Sequence, residues 1–526
     1  MNTNFYKNLL ITVLLVVVFL LPFLSMRNFS PVADEITHLP SGYSYLVTGE
    51  IKLNPQHPPL IKMLAAFPLL FLNLKLNSND PNLIGHQVNE WQFGRDFLSS
   101  NRVDRVIFWG RIPMILLSVL LGWYIFKWGK DLFGYMAGLA GLFIYAFMPN
   151  IIAHAQLVTT DLGVTAFSFI ALYYLWKLTK DPNKRNLILS GLSLGLALGS
   201  KFLAVFLLPI FFILSLVYVR QKYAGSSWLT KIKSFLKIIL PIYGLTFLVI
   251  WGLYFFTSDV LFYWKGLNTV YVDGNIGFPY YLNGDFKPGG WWYYFLEAFI
   301  IKTPIPFLAT LLVALAYYKK SSLSFLNISF IFLPVILFLF TASWKAHNIG
   351  VRYILSIYPF LILFVSGYLL KIFNSANSKI KATLILLLVG WYVYSSVSIY
   401  PDYLSYFNEL VGGSSNGYKY LDDSNIDWGQ DLKRLAEYQK NNPDLRVVYV
   451  WDSYVDAARL YGIQNMVSLD SQELWLNPSG KYAVSTHAVI RTKLLSRVNE
   501  NNKLNWMDHY KPVDRIGQSF FIYNFK

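Results

Sequence analysis

The feature that most constrains this chain is a succession of apolar runs, each close to the length that crosses a bilayer. A spanning helix needs about 20 apolar residues. Stretches 8–25, 106–126, 134–152, 161–178, 187–200, 202–219, 235–256, 292–318, 324–341, 352–371 and 381–399 meet or approach that length, so about eleven spans are expected. Two short ones, 187–200 and 202–219, abut at Gly199-Ser200-Lys201. Composition agrees: 14% of the 526 residues are charged, against about 25% in soluble domains. The expected fold is a polytopic α-helical membrane protein.

The formal net charge of +16 would point to nucleic acid in a soluble protein. Here the bases cluster in short loops: Lys127/Lys130, Lys177/Lys180/Lys184/Arg185, Arg220/Lys222/Lys231/Lys233/Lys237, Lys319/Lys320 and Lys371/Lys379/Lys381. With eleven spans these five loops share one side with Lys7 and the N-terminus, which the positive-inside rule makes cytoplasmic. No nucleic-acid partner is expected. The apolar run Leu9–Leu24 has no small-x-small cleavage signal after it and reads as an uncleaved anchor in the plasma membrane. With no cysteine, disulfides, thiolate zinc sites and thiol nucleophiles are excluded.

Three regions are not apolar and fall outside on this topology: a first loop at 26–105, a Tyr/Trp/Gly-rich segment at 257–291 and a tail at 400–526. Residues 1–399 thus form a membrane domain, and 400–526 a small extracytoplasmic unit. In the tail, Asp431–Lys440 has helical apolar spacing, while 446–451, 482–486 and 520–524 read as strands. A small α/β domain is expected there.

Residues that could carry chemistry gather in these regions. Asp34-Glu35 follows the first span: adjacent carboxylates at a membrane surface can divide the tasks of proton acceptor and ligand holder, or simply be solvated. Glu35, His38 and His57 could ligate a divalent cation, though without a tight motif, and a lone His is more often structural. Asp161 opens the fourth span, where it suits either a site or a helix N-terminus. Lys201, Lys302, Lys345 and Arg352 place positive charge outside, against the trend, which fits an anionic lipid headgroup or snorkelling at helix ends. Asp423, Asn425 and Asp427 have calcium-loop spacing, but glycine comes one place late and Arg434 stands where a Glu is needed.

Taken in order, Asp34-Glu35…His38…Gly42-Tyr43…Asn54-Pro-Gln-His57-Pro-Pro-Leu60, Thr159-Thr160-Asp161, Gly199-Ser-Lys201-Phe202, Lys302-Thr-Pro304, Asn348-Ile-Gly-Val-Arg352-Tyr353, Tyr403…Glu409 and Asn425…Asp427-Trp-Gly-Gln-Asp431 resemble the phospholipid-carrier-dependent glycosyltransferases. These are relatives of protein O-mannosyltransferases and of the aminoarabinose transferase that modifies lipid A, with the GT-C membrane fold. This chain has Gln56 where the family pattern has Glu, and Tyr353 where it has His. The resemblance implies a sugar, hexosyl or pentosyl, carried on polyprenyl phosphate and moved to an acceptor hydroxyl on a protein, lipid or glycan. It implies Asp34 as general base in an inverting attack, Glu35 positioning acceptor or sugar, and Lys302 and Arg352 stabilising the departing phosphate. Lys201, Lys345, Asp161 and His57 complete the candidate binding set. No cofactor is required by that scheme, and a divalent cation stays possible. The alternative is a flippase or transporter of lipid-linked glycans. Transporters place polar groups at mid-membrane, whereas the polar residues here concentrate in outer loops.

Overall fold

The computed structural model describes residues 3–77, 80–84, 89–259, 261–273, 278–318, 323–345, 347–374, 379–450, 457–469, 471, 474, 478–498 and 510–525. The first helices are α1 (Thr3–Ser25), α2 (Ala33–Thr48), α3 (Leu60–Ala66), α4 (Pro81–Ile84), α5 (Glu90–Ser100), α6 (Val103–Phe133), α7 (Tyr135–Ala146), α8 (Pro149–Ala155), α9 (Thr160–Lys180) and α10 (Lys184–Ser200). There follow α11 (Leu207–Lys222), α12 (Trp228–Leu253), α13 (Phe262–Asp273), α14 (Tyr294–Lys302), α15 (Ile305–Tyr318), α16 (Phe325–Lys345), α17 (Tyr358–Asn374), α18 (Lys379–Val397), α19 (Leu432–Lys440) and α20 (Thr486–Val498).

Among the described residues, seven helical stretches are long and apolar enough to cross a bilayer, and two bent pairs raise the number to nine. The pairs are α7 with α8, bent by 67°, and α14 with α15, bent by 114°. Each bend has a local cause. Pro149 opens α8, and Pro304 disfavours helical backbone at Thr303. The carbonyls freed at the second bend are taken up by side-chain amides: Asn150 Nδ2 donates to Lys302 O at 2.7 Å, and Asn408 Nδ2 to Thr303 O at 2.8 Å. Broken helices persist at membrane depth when such partners are supplied.

The other two expected spans, 187–200 and 381–399, are helical but shorter in their apolar part. The 17 residues of α10 reach about 25 Å, less than the roughly 30 Å hydrocarbon core. Ser190, Gly191, Ser193, Gly195 and Gly199 make it a packing helix rather than a lipid-facing one. Gly191, Gly195 and Gly199 repeat every fourth residue and face α12: a Cβ on Gly195 would stand 2.6 Å from that of Val249. Small residues at this spacing let two membrane helices approach closely. In the case of 381–399, the apolar stretch runs Thr383–Val397 within α18.

The tail carries the expected sheet. Besides a hairpin, β1 (Pro279–Leu282) and β2 (Asp285–Pro288), the strands are β3 (Arg446–Tyr449), β4 (Met466–Ser468), β5 (Gly480–Ser485), β6 (Asp514–Ile516) and β7 (Phe520–Phe525). The five-stranded order is β4-β3-β5-β7-β6, with β3 parallel to β4 and β5 and the other pairs antiparallel. The strand read at 446–451 ends at Tyr449, and Trp451 lies outside the described residues. Before the sheet, residues 400–431 include a run of short 3-10 turns.

A buried cluster fastens the sheet unit to these turns. Asp422 Oδ1 meets His487 Nδ1 at 2.5 Å, and its Oδ2 meets Arg491 at 3.0 Å. Arg491 Nη1 also donates to Pro279 O at 2.7 Å, which ties in the hairpin. Burial works against the His487 cation, but Asp422 overcomes it and raises the imidazole above its ordinary 6.5. Burial likewise works against the Asp422 carboxylate, and the charges of His487 and Arg491 overcome it and hold it below the ordinary 3.8.

Two outcomes are expected. Gly195→Val forces α12 away from α10 and lowers stability by about 1–3 kcal/mol, read as a lower Tm in detergent. The raised His487 contributes stability that is full below 6.5 and lost as pH rises through its folded value; the lowered Asp422 contributes stability above 3.8 that is lost as pH falls through its folded value. The tail junction is therefore most resistant to limited proteolysis between those limits, and His487→Gln should abolish the loss on the alkaline side.

Candidate active site

The site assembles where α2, α9, α10, the turn before α17 and tail residues 425–431 meet. Asp34 and Glu35 occupy the first turn of α2, where the helix dipole favours carboxylates. Their surroundings differ completely.

Glu35 is fully buried and its oxygens are taken. Arg111 Nη2 lies 2.5 Å from Oε2 and its Nε 2.8 Å from Oε1. The Val32 N–H donates to Oε2 and the Val158 N–H to Oε1, both at 2.9 Å. Arg111 spends its remaining donors on the carbonyls of Met26, Phe29 and Ser30. The pair therefore joins the stretch after α1, the start of α2, the third turn of α6 and the loop before α9.

Asp34 keeps 21% of its side chain exposed, and its Oδ2 accepts from Arg352 Nη1 at 2.7 Å. Arg352 also approaches Asp161 Oδ2 at 3.8 Å, and Asp161 Oδ1 pairs with Lys201 Nζ at 2.6 Å. The guanidinium lies 4.2 Å over the Trp428 ring, and Lys201 lies 4.6 Å over Tyr353. Two cations and two carboxylates thus form one chain, Asp34–Arg352–Asp161–Lys201, with aromatic faces behind the cations. Asp161 serves the first turn of α9 and this chain at once, since Thr159 is the N-cap residue.

Trp428 links the halves of the site. Its ring backs Arg352, and its carbonyl accepts from the Ala33 N–H at 3.0 Å, one residue before Asp34. Asn425 does similar work: its Oδ1 accepts from the Val351 N–H at 3.0 Å and its amide donates to Tyr294 Oη at 2.9 Å. Asp427 Oδ1 accepts from Tyr449 Oη at 2.8 Å. Asn425 and Asp427 of the calcium-like spacing are thus both bonded within the protein. Among the described residues, no three His, Asp or Glu side chains come together as a metal site.

The other expected residues fall around this chain. Lys302 does not join it: its ammonium donates to Leu404 O at 2.8 Å and Asn425 O at 2.6 Å, and lies 4.5 Å over Phe407. Lys345 ends α16, and its side chain lies outside the described residues. His57 packs against His38, ring centroids 5.0 Å apart, and is held well below its ordinary value by burial and then by the neighbouring imidazole, hence neutral. The loop carrying it is fastened by Lys62, which donates to Asn54 O and His57 O, both at 2.8 Å. Burial lowers that ammonium to about 7. Near the charge chain, His57 Nδ1, Thr159 Oγ1, both amide atoms of Gln156, Asp161 Oδ2 and Arg352 Nε are buried without a hydrogen-bond partner among the described residues.

Sequence reasoning passed over Arg111, although an ionisable residue inside the apolar run 106–126 is a recognisable signal. Trp428 stood only within a quoted motif, and nothing in one dimension assigns its ring to Arg352.

Comparison with known proteins bears on this arrangement. Residues 102–257 match the family described as dolichyl-phosphate-mannose-protein mannosyltransferase. Curated protein sequences give no match. Among solved structures, ArnT from Cupriavidus metallidurans in the apo state aligns over 99% of this chain and 98% of its own, with 12% identity and a TM-score of 0.53. The same protein bound to undecaprenyl phosphate aligns over 99% and 98%, with 11% identity and a TM-score of 0.49. The S. cerevisiae Pmt1-Pmt2 complex bound to the sugar donor covers 51% of this chain and 35% of that one, with 17% identity and a TM-score of 0.33. Apolar helices, fold and family match point the same way: the chain has the make-up of a multi-pass membrane protein and a fold similar to that of ArnT, and its residues 102–257 match the family described as dolichyl-phosphate-mannose-protein mannosyltransferase.

Proposed function

We propose that this protein transfers a sugar from a polyprenyl-phosphate donor to an acceptor hydroxyl at the outer face of the plasma membrane, with inversion, and that Asp34 is the general base. The observation that carries the reading is the contrast between three carboxylates. Asp34 is partly exposed, while Glu35 and Asp161 are 0% and 1% exposed with charged partners already in place. A base must reach the acceptor hydroxyl, and of these three only Asp34 meets that condition.

The charge chain supports a specific order of events. In the structure Arg352 neutralises Asp34. A donor phosphate offers the guanidinium a second anion, for which its fork is well matched. As Arg352 turns to the phosphate, Asp34 is released to take the acceptor proton. The acceptor oxygen attacks the anomeric carbon from the face opposite the phosphate, and the C–O bond to the lipid phosphate breaks with its electron pair on the phosphate. Arg352 and Lys201 then stabilise the growing negative charge. Polar atoms of His57, Gln156 and Thr159 that have no partner among the described residues are available to sugar hydroxyls. No step requires a metal or cofactor.

Glu35 and Lys302 take supporting roles in this scheme. Glu35 holds the start of α2 through Arg111, and Lys302 holds the 404–425 turns through their carbonyls. The outward orientation of Asp34, with the N-terminus inside, belongs to the same proposal.

Asp34→Asn in reconstituted membranes, with a radiolabelled polyprenyl-phosphate sugar, should lower transfer by about a hundredfold or more while donor binding persists. Unchanged transfer would remove Asp34 as the base. Arg111→Leu should act differently: it strands a buried carboxylate and costs about 3–5 kcal/mol of stability, read as lost folded protein rather than slow turnover. Trp428→Leu removes the face behind Arg352, and donor KM should rise by about tenfold.

A further inference from the structure

The basic ends of α6, α9 and α10 lie far from the charge chain. Asp161 opens α9, and Lys177 stands sixteen residues later in its last turn, about 24 Å along the axis. α9 packs against both α6 and α10, and only residues 181–183 separate it from α10. That connection is tight. The Asn183 side chain accepts from the Asn186 N–H at 2.8 Å, and the Asn186 amide donates to Asp181 O at 2.9 Å. Lys184 and Arg185 are thereby fixed in the first turn of α10, beside the last turns of α9.

A further base of this group sits among aromatic rings. Lys127 of α6 is half-buried, and its ammonium lies 5.3 Å from the Tyr124 ring, 5.2 Å from Tyr173 and 5.9 Å from Tyr174. The rings are themselves fixed: the Tyr124 and Tyr174 hydroxyls are 2.7 Å apart, and Tyr173 Oη donates to Asp131 Oδ2 at 2.9 Å. Ring faces orient a cation without neutralising it. The acids nearby are engaged elsewhere. Asp131 pairs with Lys177 at 3.1 Å, and Asp181 accepts from the Asn183 amide at 2.6 Å. Among the described residues, no carboxylate pairs with Lys127, Lys180, Lys184 or Arg185. The charge of Arg185 acts on the Tyr124 phenol, so the first turn of α10 comes near the same rings.

The surface leading to these bases is apolar. On α6, Leu116, Leu120 and Trp123 are exposed and share one face with Lys127. On α10, Ile188 and Leu192 are exposed on the face of Arg185. Each helix thus carries an apolar stripe that ends in an unpaired base. A soluble anion engages the bases alone. A phospholipid engages both parts, with its acyl chains on the stripes and its phosphate at the bases.

We infer that this end of α6, α9 and α10 is a binding site for an anionic phospholipid, with its phosphodiester between Lys127 and Arg185. Lys127 supplies an oriented point charge and Arg185 a planar fork. Lys180 and Lys184 add to the local positive field. The acyl chains run along the exposed faces of α6 and α10. This site shares no residue with the charge chain, so the inference stands whether or not Asp34 is the base.

The full-length protein in detergent is titrated with phosphatidylglycerol or with phosphatidylcholine of the same acyl chains, and bound lipid is counted by native mass spectrometry. Phosphatidylglycerol should bind at least about tenfold more tightly. Lys127→Gln and Arg185→Gln should each weaken that binding by about fivefold. Lys233→Gln removes an exposed base of α12 and should leave it intact. If Lys127→Gln fails to fold, Arg185→Gln carries the test, since Arg185 is exposed. Equal affinity for the two lipids, or undiminished binding in the Lys127 and Arg185 variants, overturns the inference. An equal loss in all three variants assigns the attraction to the general field and also overturns it. Glycerophosphoglycerol, the headgroup without chains, should compete poorly; competition as strong as that of the whole lipid would make this a soluble-anion site and overturn the lipid assignment.

Discussion

The structure depends on one buried ion pair, Arg111 with Glu35. Two charges taken out of water are costly unless every lone pair and proton finds a partner. Here they do: Glu35 takes two guanidinium nitrogens and two backbone N–H groups, and Arg111 spends its other donors on three carbonyls. Those backbone partners belong to separate stretches of chain, so satisfying the pair sets their relative positions. The adjacent Asp34 is thereby delivered to a defined place on the first turn of α2. Two neighbouring carboxylates acquire opposite tasks because one faces a guanidinium in the interior and the other faces a partly open chain of charges.

The second organising element is the tail segment 425–431. It is polar, yet most of it is buried, and its bonds reach in three directions. Asn425 holds the turn before Arg352 and accepts the Lys302 ammonium, Trp428 backs Arg352 and holds the residue before Asp34, and Gln430 O accepts from the Ser30 N–H. A segment far along the chain thus completes a site begun just after the first apolar helix. The Asp422, His487 and Arg491 cluster couples that segment to the five-stranded sheet. The sheet unit is therefore mechanically continuous with the charge chain.

Close helix packing explains how a polar site is held beside lipid. The glycine repeat of α10 brings α12 near, and the bend at Pro304 turns the Lys302 and Thr303 carbonyls toward Asn150 and Asn408. The sharper departure from a straight span is matched by two specific donors.

The sequence by itself determined the membrane class, the apolar segments, three of the five tail strands and one tail helix, and the neighbourhood from which Asp34, Asp161, Lys201 and Arg352 come. These follow from hydropathy, periodicity and charge placement, which are local properties of the chain. Only the tertiary structure decided which side chains meet. It gave Glu35 to Arg111, sent Lys302 to two carbonyls, put Trp428 under Arg352, and shortened α10 into a packing helix. Those outcomes rest on competition among donors and acceptors separated by up to some four hundred positions. Hydrogen bonds and ion pairs reward the partner that is near in space, and nearness in space is set by the whole packed chain.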